Sequence, residues 1–138
     1  HVGDSRVYLF RHARVLSRTR DHTHVELLLQ EGLISEEELA DHPLRSFVDN
    51  CLGGDASTPN ISISKPHTLE HGDIVLACSD GIWNGLDDRD IGRFFRTKRA
   101  QDLDLKTALD SLGEAALEAT TPNADNTTAV AIQWLEQN

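Results

Sequence analysis

Three aspartates stand beside small residues where an apolar run gives way to a loop: Asp4 in Gly3-Asp4-Ser5, Asp80 in Cys78-Ser79-Asp80-Gly81, and Asp125 in Ala124-Asp125-Asn126. Carboxylates at strand ends can converge without being buried. A hard divalent cation such as Mg²⁺ or Mn²⁺ takes such oxygens, with retained waters, in an octahedral shell. Gly81, directly after Asp80, would let backbone approach closely. An Asp followed by Gly or Asn is by itself only a turn signal, bonding its own backbone. The metal-centre reading therefore rests on all three in this order, framed by strands.

The bulk composition agrees with cation chemistry and excludes other classes. The chain of 138 residues carries 23 Asp and Glu against 13 Lys and Arg, a formal net charge of -10. That mean field repels nucleic acid, whose binding depends on Lys and Arg neutralising phosphates. The longest apolar run, Ile74 to Cys78, is far short of the ~18 residues of a membrane span, so no membrane association is expected. With 38% apolar and 26% charged residues the chain lies in the globular range. Cys51 and Cys78 are too few for a disulfide framework or a four-thiolate zinc site and read as small buried hydrophobes. The histidines show no metal-ligand pairing: His22 and His24, two apart on an expected helix, diverge. A chain that opens His1-Val2-Gly3 and contains no Met reads as a fragment of a longer product.

The elements that must position these residues follow from periodicity. Ser5 to Phe10 and Ala13 to Ser17 read as a hairpin turning at Arg11 and His12. From Asp21, Val25, Leu28, Leu29 and Leu33 recur at helical spacing, giving a helix of about ten residues that Gly32 breaks. Ser35 and Glu38 are spaced as a capping box for a helix from Glu36 to about Ala40, and Pro43 stops it. Leu44, Phe47, Val48 and Leu52 suggest a further helical stripe ending at Gly53 and Gly54. Ile61 and Ile63 alternate as a half-buried strand, whereas Ile74 to Cys78 is apolar on both faces and should be covered on both. Asp87 can cap a helix with Ile91, Phe94 and Phe95 on one face. A longer helix follows on Leu105, Ala108, Leu109, Leu112 and Ala116. Thr127 to Leu135 alternates as the last strand. Strands enclosing helical runs, with hairpin connections, argue for a layered α+β fold with antiparallel sheets.

Five segments then form an ordered series along the chain. They are His1-Val2-Gly3-Asp4-Ser5-Arg6-Val7-Tyr8, Asp21-His22 followed by helices and His42-Pro43, Leu52-Gly53, Leu76-Ala77-Cys78-Ser79-Asp80-Gly81-Ile82-Trp83, and Ala124-Asp125-Asn126-Thr127-Thr128. This series resembles the metal-dependent Ser/Thr protein phosphatases of type 2C, or PPM, in their bacterial form. The resemblance implies part of a four-layer αββα sandwich, with residues 1–138 as the C-terminal part of a phosphatase domain and a flap-like helical insertion at about 22–52. Roughly the first 100 residues of such a domain would be missing.

Carried over residue by residue, Asp80 and Asp125 match ligands of a cation that sits with a second ion around a bridging hydroxide, Mn²⁺ or Mg²⁺. Asp4 and Asp80 match positions holding a weaker third ion. No side chain would be the nucleophile. Gly81 and Asn126 would support the loops, and Asn84 stands where many members carry Asp, which should weaken the third site. His42 or Arg45 on the flap could meet a phosphoprotein, although a solvated face is the plainer role. Trp83 reads as core packing that steadies the strand end, and Glu36, Glu37 and Glu38 as first-turn residues favoured by the helix dipole.

The parent domain is accordingly expected to be cytoplasmic and to hydrolyse phosphoserine and phosphothreonine in proteins, opposed by a Ser/Thr kinase. This chain alone should be inactive, lacking the family's early acidic residue, phosphate-binding Arg and Asp-Gly metal bridge. The alternative is a noncatalytic fragment or pseudophosphatase acting as a binding module. Unpaired sheet edges would favour self-association.

Overall fold

The computed structural model describes residues 1–40, 42–53 and 58–136. The chain divides into two compact units, one of His1–Ser5 with Arg20–Ser64 and the other of Arg6–Thr19 with Lys65–Asn138.

The second unit is a single antiparallel sheet backed by helices. Its strands are β1 (Arg6–Arg11), β2 (Arg14–Arg18), β3 (Ile74–Cys78) and β4 (Ala129–Gln133), in the order β2-β1-β3-β4. The hairpin turns at His12 and Ala13, not at Arg11 and His12. Both turn residues have positive φ, 51° and 60°, the twist a two-residue hairpin needs.

Tyr8 pairs with Leu76 and Phe10 with Ile74, while Cys78 faces Ala129. Alternation then sends Tyr8, Phe10, Ile74, Leu76 and Cys78 to one face, where all are buried. On that face lie α3 (Asp80–Trp83), α4 (Asp88–Arg93) and α5 (Leu105–Thr120), which contribute Ile82, Trp83, Ile91, Ala108, Leu112 and Ala116 to the core. Asp87 caps α4 by accepting from the Asp90 amide at 2.7 Å, and Asp104 caps α5 through the Lys106 and Thr107 amides.

Expected cover on both sides of Ile74 to Cys78 is corrected: among the described residues one face is packed along its length, and on the other Leu9 is buried while Val75 and Ala77 are half-buried. Val7, Val130 and Ile132 on the opposite face are 39%, 61% and 67% exposed.

In the first unit, α1 (His24–Gln30) is shorter than expected because Thr23, with extended backbone, caps it by accepting from the Glu26 amide. The capping box of α2 (Glu36–Ala40) forms in both directions, Ser35 N to Glu38 Oε2 at 2.8 Å and Glu38 N to Ser35 Oγ at 3.2 Å. Two expectations here are overturned. The stripe from Leu44 to Leu52 is not a helix: turns close at Arg45 and Phe47, and Val48 then bridges to Thr23. Leu44 and Phe47 are exposed, so the spacing had no buried face to serve. Ile61 and Ile63 form no strand and are exposed; between them Ser62 exchanges backbone bonds with His1. Cys78 is buried as expected, but Cys51 is exposed. Gly54, part of the expected helix exit, lies outside the described residues. Among the described residues no helix is long and apolar enough to cross a membrane.

Candidate metal centre

The antiparallel register of β3 and β4 decides where two of the three aspartates go. Because Cys78 pairs with Ala129, the chain leaving β3 and the chain entering β4 lie at the same end of the sheet. They are locked there. Ser79 donates its amide to Thr128 O at 3.0 Å and its hydroxyl to Asn126 O at 3.0 Å, and accepts at Oγ from the Thr128 amide at 3.1 Å. Asp80 opens α3 immediately after this clasp, and Asp125 precedes Asn126 on the other side.

Gly81 is required by the same closeness. A Cβ on it would lie 2.6 Å from Asn126 O and 2.9 Å from Thr127 Oγ1, inside contact distance. The expected close backbone approach is therefore made, by the opposing loop. Thr127 Oγ1 also donates to Asp125 O at 3.1 Å, bracing that loop internally.

Around the carboxylates the donors are amides. Asn84, one turn along from Asp80, places its Nδ2 3.5 Å from Asp80 Oδ2. The Asn126 amide donates to Asp125 Oδ1 at 2.6 Å. Asp80 is half-buried and Asp125 exposed, so the carboxylates face solvent where waters can complete a shell. Two carboxylates, an amide side chain and nearby carbonyls are hard oxygen donors, a set that fits Mg²⁺ or Mn²⁺ and not a soft metal. Among the described residues no three His, Cys, Asp or Glu side chains group as a cage, so this chain would hold an ion with help from water or other donors.

A buried polar network supports α3 from beneath. The Arg6 guanidinium lies 3.7 Å from the Trp83 ring centre and donates to Tyr8 Oη at 3.1 Å. Tyr8 donates in turn to Asp88 Oδ1 at 3.1 Å, and Arg18 Nε reaches Asp88 Oδ2 at 3.0 Å. Burial pushes the Tyr8 phenol well above its ordinary range, against the opposing pull of Arg6, so it remains a neutral donor. Trp83 is 2% exposed, the packing role expected of it. Sequence reasoning missed Ser79 as the clasp, although Ser before a helical Asp is an N-cap signal, and missed Arg6, which in a β-run looks like a surface residue.

Asp4 belongs to the first unit. Its neighbour Gly3 has φ 96°, accepts from the His22 amide at 3.0 Å and donates to His22 Nδ1 at 3.3 Å. The His22 ring also meets Ser62 Oγ at 2.7 Å and Asn50 Nδ2 at 2.6 Å, so this histidine orders the loop that carries Asp4. His42 accepts from the Leu44 amide at Nδ1, and its carbonyl accepts from the Arg45 amide; both shape the turn after α2.

No family model matches the chain. The serine/threonine protein phosphatase PstP of Mycobacterium tuberculosis is 37% identical over 91 residues, 66% of this chain and 17% of that protein. The structure of the Streptococcus agalactiae serine/threonine phosphatase superposes with a TM-score of 0.81 at 29% identity, over 99% of this chain and 52% of that one. The catalytic domain of PstP in complex with two manganese ions superposes with a TM-score of 0.72 at 28% identity, over 99% of this chain and 52% of that one. The chain thus spans about half of the solved phosphatase chains it matches, and less of that curated relative.

Proposed function

Because this chain belongs to the PPM, or type 2C, family of serine/threonine protein phosphatases, we propose that the domain carrying it hydrolyses phosphoserine and phosphothreonine in proteins, using Mn²⁺ or Mg²⁺ held in part by Asp80 and Asp125. The observation that supports this is the clasp of Ser79 to Asn126 and Thr128, which holds the two aspartate loops side by side at one end of the sheet.

A bound divalent cation would supply Lewis-acid stabilisation of phosphoryl charge and lower the pKa of a coordinated water. The chain's part is to hold and orient. Asp80 offers its carboxylate from the first turn of α3, fixed by Trp83 packed on Arg6. Asn84, aimed at Asp80 Oδ2, restrains that carboxylate and adds no charge. The neighbouring Asn126 amide restrains Asp125 in the same way. His42 and Arg45 stand in this reading as flap residues toward a phosphoprotein. The reading places the domain in the cytoplasm, opposed by a Ser/Thr kinase.

The test is hydrolysis of a phosphothreonine peptide by the full-length protein carrying the chain. Turnover should require Mn²⁺ or Mg²⁺, disappear with chelator, and fall at least about a hundredfold in Asp80→Asn and in Asp125→Asn. Undiminished turnover in both variants would refute the assignment. A second reading, a noncatalytic binding module, is favoured by the lack of a third grouped donor among the described residues. It predicts no metal-dependent turnover even from the full-length protein.

A further inference from the structure

We propose that the second unit carries a docking cleft for a short acidic peptide segment of another protein, at the end of the sheet opposite Asp80 and Asp125. The cleft, about 260 Å³, opens between the His12–Ala13 hairpin turn, the His71–Gly72 turn before β3, and the segment after α4. Phe10 and Phe95 close its floor, and His12, His71, Arg96 and Lys98 stand around it. Its shape depends on Gly72: at φ 90°, with the Ala100 Cβ only 2.9 Å from where its own Cβ would be, any side chain there would strain the turn.

Charge selects the occupant. The stretch from 93 to 99 holds Arg93, Arg96, Lys98 and Arg99, four of the chain's 13 Lys and Arg, in a molecule of net charge -10. Arg93 is paired with Asp90, but among the described residues Arg96, Lys98 and Arg99 have no carboxylate partner, and all three are exposed. Every other arginine of β1 and β2 except Arg14 is tied into an ion pair, so this unneutralised cluster stands apart. The Asp80 end of β3 is about 13 Å away along the strand, beyond a Debye length of roughly 8 Å in physiological salt. A short acidic segment therefore feels the local cations, while a long polyanion such as nucleic acid meets the repulsive field of the whole chain. The cleft falls below the roughly 300–1,000 Å³ of small-molecule sites, which suits one peptide side chain with flanking carboxylates on the rim.

The inference does not depend on the phosphatase reading, and either can fail alone. The experiment is fluorescence anisotropy with the full-length protein and a labelled peptide of about eight residues, Glu and Asp around one Leu. The control replaces every acid by its amide. The acidic peptide should bind in the micromolar range and weaken as salt is raised, and the amide peptide should bind at least about tenfold more weakly. Arg96→Glu combined with Lys98→Glu should cost at least about tenfold. So should Thr97→Trp, which fills the cleft and keeps both cations. Unchanged circular dichroism in the variants would exclude misfolding. Equal binding of the amide peptide, no binding at millimolar peptide, or full binding by Thr97→Trp would each overturn the proposal. Tighter binding of single-stranded DNA than of the acidic peptide would overturn it as well.

Discussion

Asp73 illustrates how one side chain can carry both stability and its pH dependence. Its carboxylate side chain is 1% exposed, receives Arg11 in a two-point pair at 2.9 and 2.7 Å, and accepts the Glu70 amide at 2.8 Å. The Arg11 hydrogen bonds hold its pKa below the usual carboxylate range. A carboxylate whose folded pKa is depressed adds stability that is complete above the unfolded pKa of ~3.9 and is lost as pH falls through the folded value. Asp73→Asn should therefore cost about 2–3 kcal/mol at neutral pH, and the gap to the parent chain should shrink steadily below about pH 4 in urea melts. A gap unchanged at pH 2.5 would contradict the ionised pair. At the clasp, Ser79→Ala should remove the side-chain bonds to Asn126 and Thr128, cost about 1 kcal/mol, and weaken Mn²⁺ binding at least several-fold in calorimetry. Local polar chemistry of this kind was partly legible in the sequence. Ser35 with Glu38, and Asp87, cap as their spacing indicates, because a cap needs only neighbours within three residues. Trp83 and Asp88, which meet Arg6, and Arg11, which meets Asp73, come from distant parts of the chain, and no local spacing announces them.

At the scale of elements, α5 and the β3–β4 pair do the positioning. Leu112 is fully buried at the middle of α5, between Ala108 and Ala116, and packs in the core beneath the sheet. Leu112→Ala should destabilise by about 2–5 kcal/mol, read from thermal or denaturant melts. A loss below 1 kcal/mol would mean that α5 is not a core element. The periodicities of β1, α4 and α5 were readable because each has one face packed on a partner. Those at 44–52 and 61–63 misled for a physical reason: spacing reports where apolar residues lie, and Phe47, Ile61 and Ile63 remain exposed in this chain. The strand ends that carry Asp80 and Asp125 were legible as positions, but their adjacency was not. It follows from the antiparallel register that sets Cys78 against Ala129.

For the whole molecule, the second unit presents one packed face and one apolar exposed face, with β2 and β4 as its edges. The four-layer sandwich expected from the sequence would put a second sheet against Val7, Val130 and Ile132. Without that cover the 138-residue chain should associate: sedimentation should show concentration-dependent species, and Ile132→Lys should shift them toward monomer. A strictly monomeric chain at all concentrations would contradict this.

The central claim is that Asp80 and Asp125 share one divalent cation. The direct measurement is Mn²⁺ binding, followed by electron paramagnetic resonance, in the full-length protein, in Asp80→Asn, in Asp125→Asn and in the double variant. Shared ligation predicts that each single change weakens binding of the same ion by at least about tenfold and that the double change costs less than the sum of the two. Parental affinity in both single variants, or strictly additive losses, would contradict it.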